Sequence, residues 1–187
     1  MDAFLVSTGL VTIAEIGDKT MLLAICLAAA WRRPAPIILG VLVATLANHA
    51  LAALAGSLAA QWLEGPWMRW VIGLAFLGFA AWALIPDRFE DCPPSQRRTW
   101  AGVFWATTLA FFLVEMGDKT QVATVMLAAQ FQAWVAVVAG TTLGMMLANA
   151  PVVWFGERIT RKVPIKLVHA IGAAIFLVLG VVALPGW

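Results

Sequence analysis

The chain has little charge, little cysteine and little histidine. Only 12% of its 187 residues are charged, whereas 63% are hydrophobic. A soluble domain of this length cannot bury that much apolar surface, so the composition indicates an integral membrane protein in a lipid bilayer. The net charge of +2 is too small to indicate a nucleic-acid partner. Two cysteines do not suggest a disulfide framework or a cysteine-based zinc site.

Six apolar segments follow one another along the chain, and each is long enough for a membrane-spanning helix, which needs roughly 20 residues. They lie near residues 3–30, 34–60, 66–86, 101–130, 132–156 and 165–185. The predicted fold is an all-α membrane protein with six transmembrane helices. The first segment is longer than a straight span requires. Gly17 and Gly117 are plausible places for a kink or a short unwound stretch.

The basic residues of the predicted loops lie almost entirely on one side of the membrane. Nine are on that side, and only Arg69 is on the other. Because loops rich in Arg and Lys stay in the cytoplasm, both termini are predicted to lie outside it. The nine are Arg32, Arg33, Arg88, Arg97, Arg98, Arg158, Arg161, Lys162 and Lys166.

One motif, Glu-x-Gly-Asp-Lys-Thr, occurs at residues 15–20 and again at residues 115–120. Carboxylates at membrane depth are costly, and they persist where they face a bundle interior or a water-filled path. On a continuous helix, Glu15, Asp18 and Lys19 would share one face, with Glu15 and Lys19 spaced for an ion pair. Two readings follow: an ion site, which the repetition favours, or buried ion pairs that only hold the bundle together.

The 100-residue offset also aligns glycines outside the motif, Gly40 with Gly140 and Gly56 with Gly156. Each half contains three predicted spans. Because three is odd, the second half enters the membrane from the opposite side, which is the inverted-topology repeat of many secondary transporters. The predicted division is a first three-helix repeat at 1–86, a cytoplasmic linker at 87–100 and an inverted second repeat at 101–187.

Two motif faces meeting at such an interface would combine four carboxylates with two ammonium groups. The remaining two negative charges could be neutralised by one divalent cation or by two protons. Oxygen ligands suit Ca²⁺, Mn²⁺ or Mg²⁺, and the tightly held water of Mg²⁺ favours the first two. The carboxylates are Glu15, Asp18, Glu115 and Asp118, and the ammonium groups belong to Lys19 and Lys119.

Weaker polar candidates surround the motifs. Asn48, His49 and Asn149 lie on predicted spans and could complete a ligand shell or relay a proton, or could simply hydrogen-bond a neighbouring helix. His49 aligns with Asn149 at the 100-residue offset. Gln121 follows the second motif where Met21 follows the first, so it could break the symmetry of the site.

The doubled motif in a six-span chain with inverted halves resembles the Gdt-type cation–proton exchanger family, which includes bacterial manganese exporters and Golgi transporters of manganese and calcium. The resemblance covers nearly the whole chain. It implies that Glu15, Asp18, Glu115 and Asp118 bind the cation, with four motif residues beside them. These four are Lys19, Thr20, Lys119 and Thr120.

The resemblance further implies a secondary active transporter of the bacterial inner membrane. It would export Mn²⁺ or Ca²⁺ from the cytoplasm in exchange for protons, by alternating access. Such a protein is not an enzyme and needs no resident cofactor, since the metal is its cargo. The sequence does not separate Mn²⁺ from Ca²⁺, and it leaves open whether the chain forms a homo-oligomer.

Two alternatives come from other functional classes. An intramembrane metal-dependent hydrolase could use the acids and a metal to activate water. Against it, the sequence has only two histidines, His49 and His169, and no evident nucleophile paired with a base. A passive divalent-cation channel, or an exporter of small organic cations, is the other alternative. Flux through a channel would not depend on a proton gradient.

Overall fold

The computed structural model describes residues 1–62, 67–85, 98–155 and 165–184, and within these ranges all regular structure is helical. The all-α prediction is therefore confirmed. Most of the predicted linker at 87–100 lies outside the described residues. The helices are α1 Asp2–Glu15, α2 Lys19–Trp31, α3 Pro34–Trp62, α4 Met68–Ala83, α5 Trp100–Glu115, α6 Lys119–Phe131, α7 Trp134–Phe155 and α8 Ile165–Ala183.

Both motifs interrupt a helix. α1 ends at Glu15 and α2 begins at Lys19, and between them Gly17 has a φ of 88°. In the second motif Gly117 has a φ of 77°, and α5 and α6 meet at a bend of 69°. Glycine adopts positive φ without the steric cost that a β-carbon brings. The predicted break is confirmed at both glycines.

The broken backbone changes how each motif presents its side chains. Ile16 and Asp18 have extended backbone angles on either side of Gly17. The expectation that Glu15, Asp18 and Lys19 share one helical face is therefore wrong. Glu15 belongs to the end of one helix and Lys19 to the start of the next, so an intrahelical spacing rule does not apply to them.

A second backbone feature recurs at positions 100 residues apart. Arg32 follows the last residue of α2 and Gln132 follows that of α6, and both have a left-handed backbone with a φ of 50°. Their backbone N–H groups donate to the carbonyl oxygens of Ala28 and Ala128, respectively. A left-handed residue that satisfies a carbonyl of the last turn is a common way to end a helix. The predicted boundary near Gln132 is thus confirmed.

Among the residues that the structure describes, two helices are long and apolar enough to cross a membrane, Pro34–Gln61 and Trp134–Phe155. The bent pair α5 and α6 qualifies as a third span when it is taken together. Shorter apolar helices cover Lys19–Trp31, Arg69–Ala83 and Ala170–Ala183. The described residues therefore form a membrane protein with apolar helical spans, and the count of six spans stays a prediction.

α3 packs along α5 through a glycine. A β-carbon on Gly40 would lie 2.9 Å from the carbonyl oxygen of Phe104. Further along, the Asn48 amide donates to the carbonyl oxygen of Phe112 at 3.0 Å. Residue numbers rise together on the two helices, so α3 and α5 run in the same direction.

α7 packs along α1 in the same way. A β-carbon on Gly140 would lie 2.5 Å from the carbonyl oxygen of Phe4, and one on Gly144 would lie 2.7 Å from that of Thr8. The pair Gly140 and Phe4 differs from the pair Gly40 and Phe104 by 100 residues at each position. The two helix pairs therefore share one register.

α4 and α8 pack side by side through aromatic rings. The ring of Phe176 lies 4.2 Å from that of Phe79 and 6.1 Å from that of Phe76, measured between centroids. Gly73 lies against Gly180 at the other end of this contact. Numbers rise on one helix as they fall on the other, so these helices are antiparallel.

Cys26, on α2, is disulfide-bonded. The small number of cysteines did not predict this bond. The other cysteine of the sequence, Cys92, lies outside the described residues.

We expect Gly140→Ala to lower the melting temperature of the purified protein. The new methyl group would meet the Phe4 carbonyl oxygen, and relieving such a clash in a packed interior costs roughly 1–3 kcal/mol. Gly78→Ala is the matched control, because nothing lies within 4 Å of a β-carbon there. Equal melting temperatures for the two variants would contradict the close packing of α1 on α7.

Candidate metal centre

Three carboxylates meet inside the bundle. Oxygens of Glu15, Glu115 and Asp118 all lie within 4.8 Å of one another, and the three residues are buried. Glu15 and Glu115 end α1 and α5, while Asp118 precedes the first residue of α6. The helix breaks bring these ends together. The positive end of the α6 dipole favours negative charge beside it.

A threonine from the same motif holds each glutamate. The Thr20 hydroxyl donates to Glu15 Oε2 at 2.6 Å. The Thr120 hydroxyl lies 2.9 Å from Glu115 Oε2 and 3.4 Å from Asp118 Oδ2. All of these side chains are buried. Each threonine thus orients the glutamate of its own motif.

The second oxygen of each glutamate remains available. Within the described parts of the chain, Oε1 of Glu15 and Oε1 of Glu115 have no hydrogen-bond partner, although both are buried. Buried polar groups normally find partners, because leaving one unpaired costs about 1–3 kcal/mol. Two such carboxylate oxygens next to a third carboxylate indicate a place where a cation or a proton binds.

The two motif lysines make different contacts. Lys19 Nζ lies 2.7 Å from Asp118 Oδ1, so its ion pair joins the first motif to the second. Lys119 Nζ donates to the carbonyl oxygen of Ile85 at 2.6 Å. The expected pairing of Glu15 with Lys19 is therefore wrong. Sequence reasoning also missed Ile85, since a backbone carbonyl acceptor has no residue signature.

Asp18 is buried but stands apart from the three-carboxylate group. It lines a small cavity of about 10 Å³, roughly the room that one water needs, together with Lys119, Phe79 and Phe176. This cavity lies between α1, α6, α4 and α8. Of the four carboxylates that the sequence predicted, the structure brings three into one group.

The other polar candidates differ in what they touch. Asn149 donates to Glu15 Oε2 at 3.3 Å, so it belongs to the site. Gln121 accepts the Gly117 N–H at 2.6 Å, so it stabilises the helix break. Asn48 donates an interhelical hydrogen bond to the carbonyl oxygen of Phe112, which is the structural role that the sequence also allows for it. His49 is completely buried on α3.

The arrangement is chemically suited to a hard cation. Three ionised carboxylates and the Lys19 ammonium leave two negative charges. Carboxylate oxygens are the ligands that Ca²⁺, Mg²⁺ and Mn²⁺ prefer. The same oxygens can instead be protonated, so one site can accept a divalent cation or protons in turn.

The family model described as "Divalent cation/proton antiporter GDT1" matches residues 3–91 and 103–186 of this chain. The chain belongs to this family. The resemblance inferred from the doubled motif is confirmed. As a GDT1 member the protein is a transporter of divalent cations and protons and not an enzyme, which removes the hydrolase alternative.

Three curated proteins are similar to this chain over most of their own length. A Vibrio cholerae protein named "Putative manganese exporter" is 45% identical over 96% of this chain and 88% of its own. A "GDT1-like protein" of Synechocystis is 28% identical, covering 98% of this chain and 97% of its own. "GDT1-like protein 5" of Arabidopsis thaliana is 25% identical, covering 98% and 96%. No solved structure matches the chain.

Proposed function

We propose that this GDT1 antiporter exports Mn²⁺ from the cytoplasm in exchange for protons, and that Glu15, Glu115 and Asp118 hold the cation. The observation that carries the proposal is the buried group of three carboxylates, whose oxygens lie within 4.8 Å of one another. The name of the Vibrio cholerae relative supports Mn²⁺ as the substrate. Ca²⁺ accepts the same oxygen ligands and is the competing substrate.

Exchange follows from using one set of oxygens for both ions. A bound Mn²⁺ would neutralise the two negative charges that remain beside Lys19, and so would two protons. A site left with neither would hold uncompensated buried charge, which is strongly unfavourable. The carrier therefore changes its facing direction only when one substrate is bound, and this requirement couples the two fluxes.

Alternating access in this proposal uses two inverted repeats at 1–86 and 101–187, joined by a cytoplasmic linker at 87–100, with six spans in total. Two matching packing contacts support this proposal. Gly40 of the first half packs on Phe104 of the second, and Gly140 of the second half packs on Phe4 of the first. The contact of Phe76 with Phe176, two positions 100 residues apart, lies where a two-fold axis would pass. Such axes place transporter sites near the bilayer midplane.

The proposed location is a bacterial inner membrane with both termini outside the cytoplasm. The strong excess of basic residues in the loops of one side supports this orientation. The proton gradient across such a membrane drives protons inward. An exchanger that couples to it moves its cation outward, which fits export.

The test is ion flux into liposomes that contain the purified protein. We expect Mn²⁺ uptake when the lumen is more acidic than the outside, and a fall to near the rate of empty liposomes when an ionophore collapses the pH gradient. Parallel assays use Ca²⁺ to rank the two substrates. Uptake that is insensitive to the gradient would favour a channel, and uptake of neither ion would contradict the proposal.

A further inference from the structure

His49 is an unusual residue for the interior of this bundle. Its side chain is completely buried on α3, and neither ring nitrogen has a hydrogen-bond partner among the residues that the structure describes. A buried imidazole without a partner is costly because burial removes the water that would otherwise satisfy its nitrogens. The position therefore calls for a ligand that the nitrogen can bind.

The register of the helices indicates what His49 faces. In the helix pair α7 and α1, Gly140 packs against Phe4. Nine residues further along α7, the Asn149 amide donates a hydrogen bond to Glu15 at 3.3 Å. In the helix pair α3 and α5, Gly40 packs against Phe104. This contact matches that of Gly140 with Phe4, because both residue numbers differ by 100. Nine residues after Gly40 is His49, and the residue that corresponds to Glu15 is Glu115.

A second contact supports this register close to the site. Asn48 donates to the carbonyl oxygen of Phe112, one helical turn before Glu115. Asn48 is adjacent to His49, so this part of α3 lies level with the end of α5. Glu115 Oε1, like the ring nitrogens, is buried and has no hydrogen-bond partner in the described residues.

We propose that His49 supplies a nitrogen ligand to the transported cation beside Glu115, and that this nitrogen makes the site favour Mn²⁺ over Ca²⁺ and Mg²⁺. The inference rests on the proposed carboxylate site and extends it. Ca²⁺ and Mg²⁺ are hard cations that take oxygen ligands. Imidazole nitrogen suits first-row transition metals such as Fe²⁺ and Zn²⁺. Mn²⁺ takes carboxylate oxygens as Ca²⁺ and Mg²⁺ do, but it belongs to that row and so also accepts a nitrogen ligand. A site of carboxylates alone would have no such preference.

The two halves differ in this ligand. Beside Glu15 the nearby residue is Asn149, whose amide adds only a neutral hydrogen bond or an oxygen ligand. His49 is the residue that matches Asn149 at the 100-residue offset, and its ring nitrogens lie outside the three-carboxylate group in this conformation. One nitrogen ligand among oxygens adds selectivity without the four nitrogen and sulfur ligands that bind Zn²⁺ tightly. Release of the cargo therefore remains feasible.

Pulsed electron paramagnetic resonance of bound Mn²⁺ tests the ligand directly. We expect the purified protein with Mn²⁺ to show electron-spin-echo modulation from a coordinated imidazole ¹⁴N. His49→Asn should remove it while Mn²⁺ stays bound. His169→Asn is the matched control, because His169 is the only other histidine in the sequence, and it should leave the modulation unchanged. Modulation that persists in His49→Asn would overturn the proposal.

Isotope labelling makes the test independent of any variant's folding. Growth on [¹⁵N]histidine should replace the ¹⁴N modulation of the unaltered protein with that of ¹⁵N. An unaltered protein that binds Mn²⁺ without histidine modulation, or that binds no Mn²⁺, would overturn the assignment of His49.

Flux in liposomes tests selectivity. We expect His49→Asn to lower the ratio of kcat/KM for Mn²⁺ to that for Ca²⁺ by at least about tenfold, the low end of what changes around metal ligands cost. Ca²⁺ flux should persist. Equal losses for both ions would show that His49 does not set selectivity. Gradient-driven Ca²⁺ flux without Mn²⁺ binding would overturn Mn²⁺ as the substrate and His49 as its ligand, but not the antiport cycle. Absence of any proton-coupled flux would overturn the antiport cycle itself.

Discussion

Glu15→Gln is expected to reduce proton-driven Mn²⁺ flux by about 100-fold or more, the upper end of effects reported for changes around metal ligands. The substitution keeps the shape of the side chain but removes its charge, a hard oxygen ligand and a site for a proton. The Thr20 hydroxyl can still donate to the remaining amide oxygen, as it donates to Glu15 Oε2 at 2.6 Å. The protein should therefore remain folded.

The measurement is initial Mn²⁺ uptake under an imposed pH gradient, together with the melting temperature. Asp2→Asn is the matched control, because Asp2 is an exposed acid in the first turn of α1, far along that helix from Glu15. It should transport normally. Asp118→Asn should lose transport as Glu15→Gln does. Normal flux through Glu15→Gln would exclude Glu15 from the mechanism.

Lys19→Gln is expected to lower the stability of the protein strongly when no divalent cation is added. Lys19 Nζ lies 2.7 Å from Asp118 Oδ1, and Asp118 is only 2% exposed. Removing one partner of a buried ion pair leaves a buried charge uncompensated, at a cost of roughly 3–5 kcal/mol. The partial exposure of Lys19 places the expected loss at the lower end, about 3 kcal/mol.

Mn²⁺ should reverse this loss, because a cation bound to Asp118 replaces the missing ammonium charge. The melting temperature of Lys19→Gln should therefore rise more with added Mn²⁺ than that of the unaltered protein. Arg69→Gln is the control: it removes an exposed positive charge that lies at the carbonyl oxygen of Ala183 and not at the site. Equal responses of the two variants to Mn²⁺ would show that Lys19 and the cation do not compete for Asp118.

Much of the candidate site could be predicted from the sequence. The doubled motif predicted four carboxylates, of which Glu15, Glu115 and Asp118 meet in the candidate site. Gly17 and Gly117 predicted where the helices would break. Composition alone indicated a membrane protein, since hydrophobicity is a sum over residues and does not depend on how they pack. The GDT1 family, suggested by the motif, is confirmed by the match to nearly the whole chain.

The partners of these residues could not be predicted in the same way. The spacing rule that paired Glu15 with Lys19 assumes a continuous helix, and the turn at Gly17 removes that condition. The break directs Lys19 across to Asp118 and leaves Asp18 outside the three-carboxylate group. Gln121 likewise accepts a hydrogen bond from the backbone N–H of Gly117 and is not part of the three-carboxylate group.

The sequence by itself therefore determined the class of protein, the family, the positions of the helix breaks and the acids from which the candidate site is built. These properties depend on residue type, local backbone preference and a repeated pattern. Only the tertiary structure decided which three carboxylates meet, which lysine crosses between the motifs and how α3 lies on α5. Those contacts join residues far apart in the chain, and their geometry depends on helix packing, which no local spacing rule contains.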